Sequence, residues 1–128
     1  DAEKRLDEML AIKRFYQDNG VDVAETFDDL PDHLCVELEF AQLLAFRENE
    51  AAAGGDMQVL EGIRRAEKTF LDRFLFPLAD RLADLAAGAV PASPYTRMLE
   101  ALRCHLSLHR QELGGASRIP PMDGENQP

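Results

Sequence analysis

The chain has 128 residues, within the usual range of a single domain. Its 24 acidic against 14 basic side chains give a formal net charge of −10, a field that repels nucleic acid and anionic membrane surfaces and steers a basic partner inward. Hydrophobic residues make up 45% of the chain, enough for a core, but no stretch reaches the roughly 18 uncharged apolar residues of a membrane span, and no charged-then-apolar N-terminal segment marks a secretion signal.

The first predicted helix runs from about Ala2 to Asn19, with Leu6, Met9, Leu10, Phe15 and Tyr16 as its apolar set and Gly20 as a left-handed C-cap. Its pattern is already under way at Asp1, so the sequence is expected to be a fragment or to lack residues that precede it. The acidic stretch Val21 to Leu30 is expected to be irregular. Pro31 is suited to a first helical position, and a second helix is predicted from about Pro31 to Ala52. At 100° per residue its apolar residues form no single stripe: Leu34, Leu38, Ala41 and Ala45 take one side, while Cys35, Val36, Phe40, Leu43, Leu44 and Phe46 take much of the rest. A helix apolar nearly all round is expected to be central and buried.

Gly54 and Gly55 end that pattern, and Asp56 is a suitable N-cap for a third helix. There Leu60, Ile63, Phe70, Leu71, Phe74, Leu75 and Leu78 recur at helical steps. Pro77 removes a backbone donor and predicts a kink, with the helix resuming to about Ala87 and ending near Gly88. After a short connection from Val90, Ser93 and Pro94 open a fourth helix carrying Tyr95, Met98, Leu99, Leu102, Leu106 and Leu113. From Gly114 the composition turns to Gly, Pro and polar residues, which predicts a disordered tail over 114–128 after a helical domain over 1–113.

The fold class is therefore all-α, a helical bundle of about four helices with a kinked third helix. Three neighbours are few for a helix apolar on most sides, so a dimer, a domain swap or further chain is expected to cover it. Cys35 and Cys104 are read as buried free thiols of a reducing compartment rather than a disulfide.

The segment LPDHLCVELEFAQLLAF, Leu30 to Phe46, resembles a signature of the molybdoenzyme-specific chaperones of the TorD/DmsD/NarJ type. In that family a Pro-Asp-His or Asp-His element opens a helix of the form HLxxELEFxxxL, and Pro31, Asp32, His33, Leu34, Glu37, Leu38, Glu39 and Phe40 match it. The approach FYQDNGVDVAE is similar to the family's helix ending in a Tyr- and Gly-containing turn. Phe70 to Leu102 resembles its FLxxHLxxWxPxLxxxL…PFYxxLxxL region, with Phe74 where a His is common and Leu78 near a common Trp.

The resemblance implies a larger all-helical chaperone fold whose N-terminal half contributes to a peptide-binding groove. It also implies a cytoplasmic, non-enzymatic protein without a cofactor. Its partner would be a molybdopterin-containing oxidoreductase subunit or that subunit's twin-arginine signal peptide, held back until the cofactor is loaded. Some relatives form domain-swapped dimers, so a homodimer is a further expectation. By the same resemblance Asp32 and His33, with Pro31 and Glu37, are the peptide-binding candidates.

Elementary chemistry gives each candidate a plainer reading too. Asp32 in a first turn is favoured by the helix dipole alone, by about 0.3–1 kcal/mol, and His33 suits a local cap. As binding groups, a carboxylate engages guanidinium through two parallel hydrogen bonds, and an imidazole donates to peptide backbone or senses pH. Glu37 and Glu39 both fall among apolar residues, so at least one is expected to be partly buried and paired with an Arg such as Arg73, Arg81 or Arg97. His105 and His109, at i and i+4 beside Cys104, share a helix face, but no HExxH or third and fourth ligand accompanies them. A surface pair is expected and no metal site. Two alternatives stay open: a helical metal-binding protein using His33, Cys104, His105 and His109, and a generic dimerisation module.

Overall fold

The computed structural model describes residues 2–22 and 33–116, with side chains to residue 114. The described elements are all helical: α1 (Ala2–Asp18), α2 (Leu34–Gly54), α3 (Met57–Phe70), a π-helical turn (Leu71–Leu75), α4 (Phe76–Ala89) and α5 (Pro94–Ala116). With α3, the π turn and α4 as one interrupted helix, this is the four-helix bundle the pattern predicts.

Local chemistry sets most of the boundaries. Gly20 has φ +79°, and the Gly20 and Val21 amides donate to Gln17 O and Tyr16 O, closing α1 with a left-handed cap. The same arrangement ends α2. Gly55 has φ +73°, while the Gly55 and Asp56 amides donate to Ala52 O and Ala51 O. Asp56 then caps α3, its Oδ1 accepting from Val59 N at 3.1 Å. At the start of α5, Ser93 Oγ accepts from Tyr95 N at 3.2 Å. Buried Thr96 donates to Val90 O at 2.6 Å, which ties the end of α4 to the beginning of α5.

Three boundaries differ from expectation. α2 begins at Leu34 rather than near Pro31, because His33 is its N-cap. Pro31 and Asp32 lie outside the described residues. The kink at Pro77 takes the form of the π turn ahead of it: Phe76 N donates to Leu71 O, five residues back. Widening the turn accommodates a ring that lacks an N–H and crowds the carbonyl four residues earlier. α5 runs through Gly114 to Ala116, so the break expected at Gly114 is absent. The remainder of the expected tail is outside the described residues.

Aromatic rings fill the centre. Phe70 lies 4.8 Å from Phe40, 5.8 Å from Phe15, 5.9 Å from Phe74 and 6.1 Å from Tyr16, centroid to centroid. Buried Leu44, Leu71, Leu75 and Leu106 continue the core toward α5, each such side chain contributing about 1.5–3 kcal/mol. Ala79 and Ala83, both fully buried, let α4 approach α5 closely. On the outside of that hairpin Arg103 bridges Asp84 at 2.7 Å and Asp80 at 3.3 Å.

Burial corrects two expectations about faces. On α1 the buried residues are Ile12 and Tyr16, while Leu6 and Leu10 are about half exposed. The buried residues of that helix all lie in its second half. On α2 the buried set is Glu37, Phe40, Leu44 and Ala51, a single face, while Phe46, Ala45 and Cys35 are exposed. Both cysteines are free, as expected, but exposed rather than buried.

Candidate functional site

His33 and Glu37 stand one turn apart at the start of α2, where Glu37 N donates to His33 O at 3.0 Å. His33 Nδ1 accepts from Cys35 N at 3.2 Å, so its side chain completes the cap. A neutral ring in that arrangement carries its proton on Nε2, free to donate elsewhere. His33 is exposed, whereas Glu37 is only 2% exposed. Of the two carboxylates expected to include a buried one, Glu37 is that one and Glu39 is exposed. Glu37 lines a recess of about 280 Å³ together with Glu8, Phe74, Arg73 and Arg81. Two of the three arginines named as its partners therefore share that recess, and Arg97, on α5, does not.

A second concave surface lies between α2 and α5, with a volume of about 400 Å³. Leu38, Ala41 and Ala45 form one wall, Leu102 and Leu106 the other, and Leu71 and Leu75 the floor. Glu67 and His109 are the ionisable pair that meets in it. Glu67 is 4% exposed, and its Oε2 lies 3.2 Å from His109 Nε2. Burial pushes the Glu67 carboxyl up to about 7, with the charge and hydrogen bonding of Glu48 adding to the rise and Arg64 opposing it. Arg64 itself bonds Glu48 at 2.9 Å. Glu67 Oε1 is buried, and the Glu48 carboxyl is the neighbour that can share a proton with the Glu67 carboxyl.

This pair was not singled out from the sequence. A signal was present: Glu67 falls between Leu60, Ile63, Phe70 and Phe74 at the steps of three and four that define the apolar face of α3. His109 is therefore not the surface residue expected of it, though His105 is exposed. Among the described residues no group of three or more His, Cys, Asp or Glu side chains has the geometry to hold a metal ion. No described helix is long and apolar enough to cross a membrane.

Residues 2–84, from α1 into α4, match the family model described as nitrate reductase delta subunit. Over 64 residues the chain is 40% identical to the selenate reductase assembly chaperone protein of Thauera selenatis. That alignment covers 50% of this chain and 32% of the relative, so it spans about a third of the relative's length. No solved structure matches.

Proposed function

This chain belongs to the nitrate reductase delta subunit family, the chaperones of the TorD/DmsD/NarJ type, and from that premise we propose that it assists assembly of a molybdopterin-containing oxidoreductase. It binds the N-terminal segment of a client subunit, a twin-arginine signal peptide where the client carries one. It retains the subunit in the cytoplasm until the cofactor is in place. It catalyses no reaction of its own.

The observation that carries this reading is the family match, which runs across α1 to α4 and includes the first turn of α2. The chemistry there suits the role. His33 is exposed with Nε2 available for a peptide carbonyl, and Asp32 beside it in sequence is suited to a guanidinium. Buried Glu37 stands one turn deeper, in a recess shared with Arg73 and Arg81. A net charge of −10 draws in a basic segment.

The test is titration calorimetry of the protein with the N-terminal segments of the molybdopterin oxidoreductase subunits of the same organism. Binding should weaken with salt, and Asp32→Ala and His33→Ala should each lower affinity about tenfold, the ~1.4 kcal/mol of one charge-assisted contact. Affinity unchanged by both substitutions would remove these residues from the site. Stable self-association with no affinity for the client would instead support a dimerisation module.

A further inference from the structure

We propose that Glu48, Glu67 and His109 form a proton-dependent clasp between α2, α3 and α5, in which one proton shared by the two carboxyls holds the last turns of α2 against α3 and its loss loosens them.

Each of three helices brings one of these side chains to the same place. Glu67 of α3 is buried, and its Oε2 lies 3.2 Å from His109 Nε2 of α5. The carboxyl of Glu48 is its neighbour from α2. Glu48 stands between Leu44 and Ala51, four residues after one and three before the other, and both are buried. That spacing keeps it on the buried face of α2, which packs against α3.

Two carboxylates cannot hydrogen-bond to each other, because each only accepts. One proton on the pair removes the conflict. Carried on buried Glu67 Oε1, it is donated to Glu48, while Oε2 accepts from His109 Nε2. A single negative charge then remains, and Arg64 offsets it from 2.9 Å on the Glu48 side. Without the proton, two like charges face each other where water is largely excluded. Glu48 is the member with a route to water, its side chain being 20% exposed, so α2 is the helix that gives way.

The other charges around Glu67 are engaged elsewhere. On α3 itself Lys68 pairs with Asp72 of the π turn at 2.8 Å, and Arg110 of α5 joins the same carboxylate at 2.7 Å. Also on α5, Glu112 lies 3.9 Å from His109 Nδ1, and His105 is exposed. Arg47 of α2 donates to Asn19 O at 2.7 Å, beyond the end of α1. Arg64 is thus left to serve two carboxylates once both are ionised.

Burial, with Glu48 adding to the rise, pushes the Glu67 carboxyl up to about 7. A carboxyl raised in this way keeps its proton in the fold below that value and loses it above, so the clasp is closed in mild acid and loosened in mild base.

The test is amide hydrogen exchange of the whole protein at about pH 6 and about pH 8.5, corrected for the intrinsic pH dependence of exchange. Residues 48–54 should open about tenfold more often at the higher pH, while α4 and α5 keep their rates. Glu67→Gln keeps an amide donor for Glu48 and an acceptor for His109 but cannot titrate, so it should hold those residues closed at both pH values. Glu48→Gln supplies a donor to an ionised Glu67 and should also abolish the alkaline opening. The infrared band of protonated carboxyls gives a second reading: a component that disappears near pH 7 in the parent, at lower pH in Glu48→Gln, and is missing in Glu67→Gln. Circular dichroism checks that both variants are folded. Alkaline opening that persists in Glu48→Gln would mean that burial of Glu67 acts alone and would overturn the clasp. So would equal exchange over 48–54 at the two pH values, or acceleration in α5 or in every helix alike.

Discussion

Glu67 shows how one side chain on the wrong face sets a pH dependence. A glutamate ordinarily titrates near 4.5, and in the fold this one titrates at about 7, raised first by burial and then by Glu48. Between those values the native protein holds a proton that the unfolded chain has released. Stability therefore falls as pH rises through the window and is at its lowest from this source above pH 7. The full shift corresponds to roughly 3 kcal/mol. Glu67→Gln keeps the shape and cannot ionise, so it should gain on the order of 2–3 kcal/mol over the parent at pH 8 and little or nothing at pH 4.5, read from urea unfolding at each pH. An equal difference at both pH values would mean that ionisation of Glu67 is not the cause. Asp72 contributes with the opposite sign. Lys68, foremost, and Arg110 hold it below the ordinary carboxylate range, so what it contributes at neutral pH is lost on acidification. The position of Glu67 on an apolar face was legible in the sequence, and so was the burial of one of Glu37 and Glu39. The partner of Glu67 was not, because His109 lies 42 residues away and reaches it only through the packing of α5 on α3.

At the scale of elements, the ends of helices were the most legible, since a cap depends on chemistry within a few residues. Gly20, Gly55, Asp56 and Ser93 all act where the sequence places them. The start of α2 was misplaced because two neighbouring signals compete, Pro31 as a first helical residue and His33 as a cap, and only the backbone decides between them. The π turn before Pro77 was hidden for a similar reason: a proline announces disruption but not how the preceding turn absorbs it. The adjacent glycines at the end of α2 give a direct test of the caps. Gly54 is the last helical residue with open space where a Cβ would go, so Gly54→Ala should stabilise by about 0.5–1 kcal/mol. Gly55 also has open space, but its φ of +73° is one that a side chain resists, so Gly55→Ala should cost about 1–2 kcal/mol. Chemical denaturation of the two variants should move the midpoint in opposite directions. Shifts of the same sign would mean that Gly55 does not hold the left-handed cap in solution.

For the molecule as a whole, the all-helical class followed from periodicity, whereas the meeting of the aromatic rings and the covering of each face did not, because periodicity names an apolar face without naming its neighbour. α1 makes the consequence plain. Among the described residues it is held through its second half, by Ile12, Tyr16, by Phe15, whose ring lies 5.6–5.9 Å from those of Phe74, Phe70 and Phe40, and at its end by Arg47, whose Nη1 donates to Asn19 O at 2.7 Å. Leu6 and Leu10, on the half before these anchors, remain half exposed. α4 and α5, by contrast, pack along their length and are bridged by Thr96 and Arg103. A helix held at one end opens at a lower free energy than a hairpin packed along its length. Amide hydrogen exchange should therefore be faster in α1 than in α4 and α5, and fastest over residues 2–10. Phe15→Ala should speed exchange in α1 about tenfold, matching the ~1.5 kcal/mol of its ring contacts, and leave the α4–α5 hairpin near its original rate. Opening of α1 exposes Phe40, Phe70 and Phe74, so the same variant should bind more of an apolar dye such as ANS under native conditions. Exchange that accelerates equally in every helix would show instead that α1 is part of one cooperative unit with the rest, and that its anchors matter as much to the hairpin as to itself.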